Sequence, residues 1–279
     1  MITKQGAYLR FRKRANDTAQ HLEQHGWAVA RGVFSSAEVK TLRKEISAVY
    51  DELPGDQRGP NPEAWEMFRY EMLNRSPACQ KAIGHRGILK VIEPLLGEDC
   101  HIIANTAWRN PPTSARLHGG QHWHIDAGPH IPLDEGMVWP KDIPHPVFAV
   151  GTHIFLKECG LKDGPTGVIP GSHLSGKPPP QDRLLDDDLT WQGVGVKPLL
   201  AKPGDVAFFV SDVWHRRMPT QPGDRGRFFL QAHYGRRDIA QRLKPTSERN
   251  QLSEAAVSRA RSKRAKTVAG LHPRFFYDG

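Results

Sequence analysis

Cysteine is scarce in this chain of 279 residues, which has only Cys79, Cys100 and Cys159. An odd number of cysteines without paired spacing indicates neither a disulfide framework nor a zinc site, and it predicts reduced thiols in an intracellular, cytoplasmic protein. Long apolar runs are also lacking: the stretch VAFFV at 206–210 has only the length of a strand, so we expect no membrane-spanning segment. The first residues are charged with no apolar stretch behind them, which argues against a secretory signal.

Acidic residues are too few to balance the basic ones: 30 Asp and Glu face 39 Lys and Arg, for a formal net charge of +9. Much of the excess lies in Arg236-Arg237 and in SRARSKRAK at 258–266. No zinc-finger spacing, RNA-recognition signature or aromatic stacking array accompanies this charge, so a nucleic-acid partner is not expected and a solvated helix face is the simpler interpretation. The positive charge favours an anionic substrate.

The first third of the chain has helical signals. A helix from Asp17 to Gln24 is expected to end at Gly26, because glycine adopts the left-handed conformation that terminates helices. Ser35-x-x-Glu38 has the spacing of a capping box and opens a second helix. Ser76-Pro77 opens another helix, whose apolar positions continue to Gly97.

From about residue 99 the chain consists of short apolar runs separated by proline and glycine. Six runs are typical of strands: HIIANTAWRN, QHWHID, PVFAVGTHIFLK, TGVIP, VAFFV and RFFLQAHYG. Many short strands without alternating helices predict a mainly β fold with flanking helices and a double-stranded β-helix (jelly-roll, cupin-like) core. We expect a single domain over 1–279, with N-terminal helices at about 15–97, the β core at about 99–235 and a basic helical tail at about 236–279.

His124 and Asp126 are the most informative pair of residues. Side chains two apart on a strand point to the same face, so this imidazole and this carboxylate are expected to project together. A second histidine would complete the two-His-one-carboxylate triad of non-haem Fe(II) oxygenases. His215 is the candidate, because it follows the turn KPGD at 202–205 and the apolar run at 206–210, which would deliver it to the mouth of a barrel.

A carboxylate anchor is predicted on the last core strand. By alternation Arg227, Phe229, Gln231 and His233 share one face of that strand. Burying the charge of an arginine inside a barrel costs free energy unless the side chain pairs with an anion. Its planar guanidinium can form two parallel hydrogen bonds with a carboxylate. Arg225, two residues earlier, is a rival for this role.

The chain resembles the phytanoyl-CoA dioxygenase-like family of Fe(II)/2-oxoglutarate oxygenases. The resemblance rests on His124-x-Asp126, on the string DGPTGVIPGSH at 163–173 and on the stretch from Gly204-Asp205 to Arg227, and extends weakly over most of residues 20–240. Two features depart from the family pattern. Asp163 stands where the family commonly has asparagine, and the spacing from His215 to Arg227 is one residue longer than expected.

The resemblance implies the roles of six residues. It assigns His124, Asp126 and His215 to Fe(II), and Arg227, Gln121 and Thr166 to the cosubstrate 2-oxoglutarate. The implied reaction consumes O2 and oxidises a small-molecule metabolite, most simply by hydroxylation, with release of succinate and CO2; ascorbate would serve as reductant in vitro. Asp126 excludes the halogenase variant of the site, in which a small residue replaces the carboxylate. The alternative function is a cupin-like metal protein, an isomerase or a binding module, without oxygenase activity.

Overall fold

The computed structural model describes residues 15–52, 68–112, 119–126, 128–140, 142–241 and 252–272. Its helices are α1 (Asp17–His25), α2 (Ser36–Glu52), α3 (Met72–Arg75), α4 (Pro77–Ile83), α5 (Arg86–Leu96), α6 (Glu254–Arg259) and α7 (Lys263–Val268). Its strands are β1 (Trp27–Ala30), β2 (Phe68–Tyr70), β3 (His101–Asn110), β4 (Ala149–Phe155), β5 (Thr166–Val168), β6 (Lys197–Pro198), β7 (Val206–Val210), β8 (His215–Arg217) and β9 (Arg227–Gly235). No helix among these residues is long and apolar enough to cross a membrane.

Two antiparallel sheets form the core. Among the described residues, the larger has six strands in the order β1-β7-β4-β9-β3-β2, and the smaller has three in the order β6-β5-β8. Neighbours in the large sheet are far apart in sequence, as the long pairing of β3 with β9 shows, with Asn110 opposite Arg227 and Thr106 opposite Gln231. This arrangement confirms the predicted jelly-roll core with flanking helices.

Alternation along the strands divides the side chains of the large sheet between two layers. On β9 the side chains of Phe228, Leu230, Ala232 and Tyr234 pack against the helices in the main core. Phe229 points the other way, into a second cluster that also contains residues of the small sheet and its neighbouring loops. Burial of each large apolar side chain contributes about 1.5–3 kcal/mol, so both layers stabilise the frame around the space between the sheets.

The helical predictions are confirmed in the first part of the chain and corrected in the second. Gly26 ends α1 with a φ of 78°, and the Ser35 and Glu38 side chains make the reciprocal bonds of a capping box. The single helix expected from Ser76-Pro77 to Gly97 is two helices, because the chain breaks after α4 and His85 starts α5 by accepting a hydrogen bond from the Gly87 N–H. The apolar spacing continues across this break, which hides it in the sequence.

The remaining expectations concern the cysteines, the run QHWHID, the basic tail and the domain division. All three cysteines are free, as predicted, and all three are buried. The run QHWHID is not a full strand, since its only ladder contact is a single bridge between His124 and His215. Part of the basic tail is docked on the helices: Arg259 donates to Gln80 Oε1 at 2.6 Å and to the Leu73 carbonyl at 2.8 Å. The division of the chain into helices, β core and tail as one domain stays a prediction.

Candidate active site

Backbone pairing brings the predicted histidines together. His124 N–H donates to the His215 carbonyl at 3.0 Å, and His215 N–H donates back to the His124 carbonyl at 2.9 Å. Residues that exchange both bonds lie directly opposite each other in an antiparallel ladder, with their side chains on the same face. The two imidazole rings accordingly have their centroids 4.4 Å apart. Asp126 follows by donating its N–H to the Ser211 carbonyl at 3.1 Å, which fixes the carboxylate beside the rings.

The donor atoms of His124, Asp126 and His215 form a compact group. One ligand atom from each residue lies within 4.8 Å of the other two, a geometry that could hold a metal ion. Oδ1 of Asp126 lies 3.5 Å from Nε2 of His215. Two imidazole nitrogens and one carboxylate on one side leave the other side open, as a facial triad requires.

Hydrogen bonds to the backbone select the tautomers of both histidines. Nδ1 of His124 lies 2.8 Å from the His122 carbonyl, and Nδ1 of His215 lies 2.9 Å from the Val213 carbonyl. A carbonyl only accepts, so each Nδ1 carries the hydrogen and each Nε2 keeps a lone pair for a metal. His122 itself is exposed, and its carbonyl is the partner of Nδ1 of His124.

The charges of the group reinforce one another. Burial raises the pKa of Asp126, but the nearby rings of His215 and His233 lower it more, so that the net pKa lies well below its usual range. Burial lowers the pKa of His215, whereas the Asp126 carboxylate raises it, and the net pKa is above its usual value. Asp126 is therefore a carboxylate at any pH at which the protein would work.

A cavity of about 140 Å³ adjoins the group, and its lining includes all six predicted residues: Gln121, His124, Asp126, Thr166, His215 and Arg227. Arg227 is only 4% exposed; its Nε donates to Asn110 Oδ1 at 3.2 Å and its guanidinium lies 5.3 Å from the centre of the Phe229 ring. The Thr166 hydroxyl lies 3.4 Å from Nδ1 of His153. The cavity thus combines the three donor groups with a buried cation.

Arg225, the rival anchor, is not among the residues that line this cavity. Its side chain is half exposed and pairs with Asp163 at 2.8 Å and with Glu158 at 2.9 Å. Asp163 also accepts from the backbone N–H groups of Gly160 at 2.7 Å and Arg225 at 2.6 Å. The two departures from the family pattern, Asp163 and the longer spacing from His215 to Arg227, are therefore in direct contact. The Asp163 carboxylate binds Arg225 of the longer turn and holds it outside the cavity.

The string VIPGSH supports the site from behind. Ser172 Oγ accepts from the Trp214 N–H at 2.8 Å, immediately before His215, and the Gly171 N–H donates to the His25 carbonyl at 2.9 Å. Trp123 and Trp214, which precede His124 and His215, belong to one buried cluster with Ile169.

Two contacts at the site were missed by sequence reasoning. Nδ1 of His130 lies 2.5 Å from Oδ1 of Asp212, which ties the segment after Asp126 to the turn before His215. Nδ1 of His233 lies 3.5 Å from Oδ2 of Asp126. Alternation had placed His233 on the inner face of β9, but the contact depends on a loop that is remote in sequence.

Solved structures with the same fold include enzymes that bind 2-oxoglutarate. The epimerase SnoN, in complex with Fe3+, alpha ketoglutarate and nogalamycin RO, is 15% identical with a TM-score of 0.63, over 84% of this chain and 91% of that chain. HygX from Streptomyces hygroscopicus, with nickel, 2-oxoglutarate and hygromycin B bound, is 17% identical with a TM-score of 0.61, over 82% and 90%. The alpha ketoglutarate dependent carbocyclase SnoK from nogalamycin biosynthesis is 14% identical with a TM-score of 0.62, over 87% and 92%.

Sequence comparison gives the family. No curated protein sequence matches the chain. The profile of the phytanoyl-CoA dioxygenase family (PhyH) matches residues 22–220, which include His124, Asp126 and His215 and end before Arg227. That match covers well over half of the chain. The chain therefore belongs to the phytanoyl-CoA dioxygenase family of enzymes.

Proposed function

We propose that this enzyme is an Fe(II)- and 2-oxoglutarate-dependent oxygenase that oxidises a small molecule with release of succinate and CO2. The main support for the proposal is that a two-His-one-carboxylate donor set and a buried arginine line the same cavity. His124, Asp126 and His215 would hold Fe(II), whose chemistry is the activation of O2 for oxidation of the substrate. The donor set fits the ion, because a backbone carbonyl binds Nδ1 of each histidine and leaves Nε2 as the nitrogen available to a metal.

The remaining residues have roles in binding the cosubstrate. Arg227 would bind the distal carboxylate of 2-oxoglutarate, because a buried guanidinium forms strong, charge-assisted bonds with a carboxylate. Gln121 and Thr166, also in the cavity lining, would supply polar contacts to the same molecule. The rival function, a cupin-like metal protein without oxygenase activity, has no use for a buried cation at this position.

The substrate would bind at the opening of the cavity. At about 140 Å³ the cavity is far smaller than the roughly 300–1,000 Å³ of pockets for drug-sized ligands, so it suits the cosubstrate better than a large metabolite. SnoN and HygX are described with nogalamycin RO and hygromycin B bound, which favours a secondary metabolite as the substrate of this chain too. The net charge of +9 favours an anionic one.

The test is succinate formation from 2-oxoglutarate with Fe(II), ascorbate and O2, over a panel of acyl-CoA thioesters, carboxylates and natural products. Substrate-dependent succinate is expected, together with an anaerobic charge-transfer band on mixing Fe(II) and 2-oxoglutarate that Asp126→Ala abolishes. The absence of both signals in the unaltered protein would overturn the proposal.

A pair of arginine variants tests the anchor. Arg227→Met should raise the KM for 2-oxoglutarate by roughly 10- to 150-fold, because hydrogen bonds to charged groups contribute about 1.5–3 kcal/mol. Arg225→Met is the matched control, since that side chain points to Asp163 and Glu158, and its KM should stay near that of the unaltered enzyme. An effect of Arg225→Met alone would move the anchor to residue 225.

A further inference from the structure

A third histidine stands beside the proposed ligand Asp126. His233 lies on β9, its side chain is 11% exposed, and its Nδ1 is 3.5 Å from Oδ2 of Asp126. The other carboxylate oxygen, Oδ1, faces Nε2 of His215 at 3.5 Å. The two oxygens therefore have different histidine neighbours, His215 for Oδ1 and His233 for Oδ2.

Two side chains of the neighbouring strand β3 fix the orientation of Gln231, which contacts His233. The Trp108 indole can only donate, and its Nε1 lies 2.6 Å from Oε1 of Gln231. The Thr106 hydroxyl lies 2.9 Å from the same oxygen. The carbonyl end of the Gln231 amide therefore faces β3, and its NH2 end faces Nε2 of His233 at 2.7 Å.

This orientation decides where the hydrogen of His233 lies. Because Nε2 accepts from Gln231, the neutral ring carries its hydrogen on Nδ1, the nitrogen nearest to Asp126. His124 and His215 have the same tautomer but turn their Nε2 inward. His233 turns an N–H inward, so it can donate to a carboxylate but cannot act as a ligand.

We propose that His233, held by Gln231, is a positioning residue that selects Oδ1 of Asp126 as the metal-binding oxygen by attracting Oδ2. The inference rests on the proposed function. The terminal torsion of an aspartate is broad, so the side chain alone does not choose between its oxygens. A contact of 3.5 Å is long for a hydrogen bond, but closing it needs only a few tenths of an ångström, and contacts at active sites commonly tighten when the ligand binds.

The first experiment measures metal binding rather than turnover. Co(II) affinity is determined by calorimetry for the unaltered protein, His233→Phe and Gln231→Met, with His101→Phe as the control. His101 is a buried histidine of the same sheet that bonds to the Ile239 carbonyl at 2.7 Å. His233→Phe should weaken Co(II) binding about 10- to 100-fold, the usual effect of losing a residue that supports a metal ligand. Gln231→Met should weaken it less, and His101→Phe should not.

The second experiment reads the tautomer directly. Long-range nitrogen–proton NMR spectra of the metal-free protein should show His233 with its hydrogen on Nδ1, and Gln231→Met should populate the other tautomer. This readout decides the matter if His233→Phe does not fold. Co(II) affinities equal to that of the unaltered protein in both variants, or a hydrogen found on Nε2, would overturn the inference and leave the proposed function standing. Failure of the unaltered protein to bind Co(II) at all would overturn both.

Discussion

The histidine of the VIPGSH string is predicted to make the stability of the protein depend on pH. His173 is 1% exposed, and its Nε2–H donates to the Glu23 carbonyl of α1 at 3.0 Å. Burial lowers its pKa from 6.5 to about 4. Burial is the largest single cause; His145 and His25 also lower the pKa, whereas the bond to the Glu23 carbonyl and the Asp212 carboxylate raise it.

The sign and size of the effect follow from these values. Between pH 6.5 and pH 4 the unfolded chain binds a proton at residue 173 and the folded chain does not, so acid favours unfolding in this window. At about 1.4 kcal/mol per pH unit, His173 alone should lower the free energy of unfolding by about 3 kcal/mol at pH 4 relative to its value above pH 6.5.

Urea unfolding at a series of pH values between 7 and 4 tests this reasoning, with His173→Gln as the variant. The glutamine amide can still donate to the Glu23 carbonyl but does not titrate, so its curve of stability against pH should be flatter by about 3 kcal/mol over the window. His122→Gln, at an exposed ring, is the control and should follow the unaltered protein. Parallel curves for His173→Gln and the unaltered protein would refute the assignment of the low pKa to this residue.

Two further predictions concern the support of the site. Left-handed strain alone should make Gly26→Ala lower the free energy of unfolding by about 1–2 kcal/mol. The loss should be larger than that, because a Cβ at residue 26 would lie 2.7 Å from Nδ1 of His173. Gly32 is also left-handed but has nothing within 4 Å, so Gly32→Ala should show only the strain in the same thermal unfolding assay. Equal losses in the two variants would contradict this contact. Asp163→Asn should cost about 1–3 kcal/mol at pH 7 through its bonds to Arg225, and Asp186→Asn, at an exposed pair, far less. Burial raises the pKa of Asp163, but its hydrogen bonds lower it on balance. The difference in the free energy of unfolding between the unaltered protein and Asp163→Asn should therefore shrink as the pH falls below about 4. A difference in urea unfolding that does not change with pH would argue against a charged carboxylate.

Local patterns were enough to predict the strands β3, β4, β5, β7 and β9 and the candidate ligands. The alternation that puts Phe228 and Phe229 of β9 in different layers is a property of any extended chain, and so is the common side of His124 and Asp126. The strand β8 was not predicted, because it has only three residues and polar side chains. Its existence depends on pairing with β5, in which His215 lies opposite Val168.

The orientations inside the site could not be predicted from sequence. Gln231 receives its direction from Trp108, which lies 123 residues earlier in the chain and comes next to it only through the pairing of β3 with β9. The choice between Arg225 and Arg227 as the cavity residue likewise depends on the Asp163 carboxylate. Strand periodicity contains no information about such contacts between remote side chains.

The way each imidazole is held has a consequence for how the site can change in evolution. Main-chain carbonyls hold the rings of His124 and His215, and any amino acid at positions 122 and 213 provides the same oxygen. Substitutions at positions 122 and 213 should therefore leave the orientation of these two rings unchanged. The ring of His233 depends on one amide side chain, so a single substitution at Gln231 can alter it. Among relatives with this fold, the residues that orient the metal-binding side chains should accordingly vary more around the Asp126 carboxylate than around the imidazoles of His124 and His215.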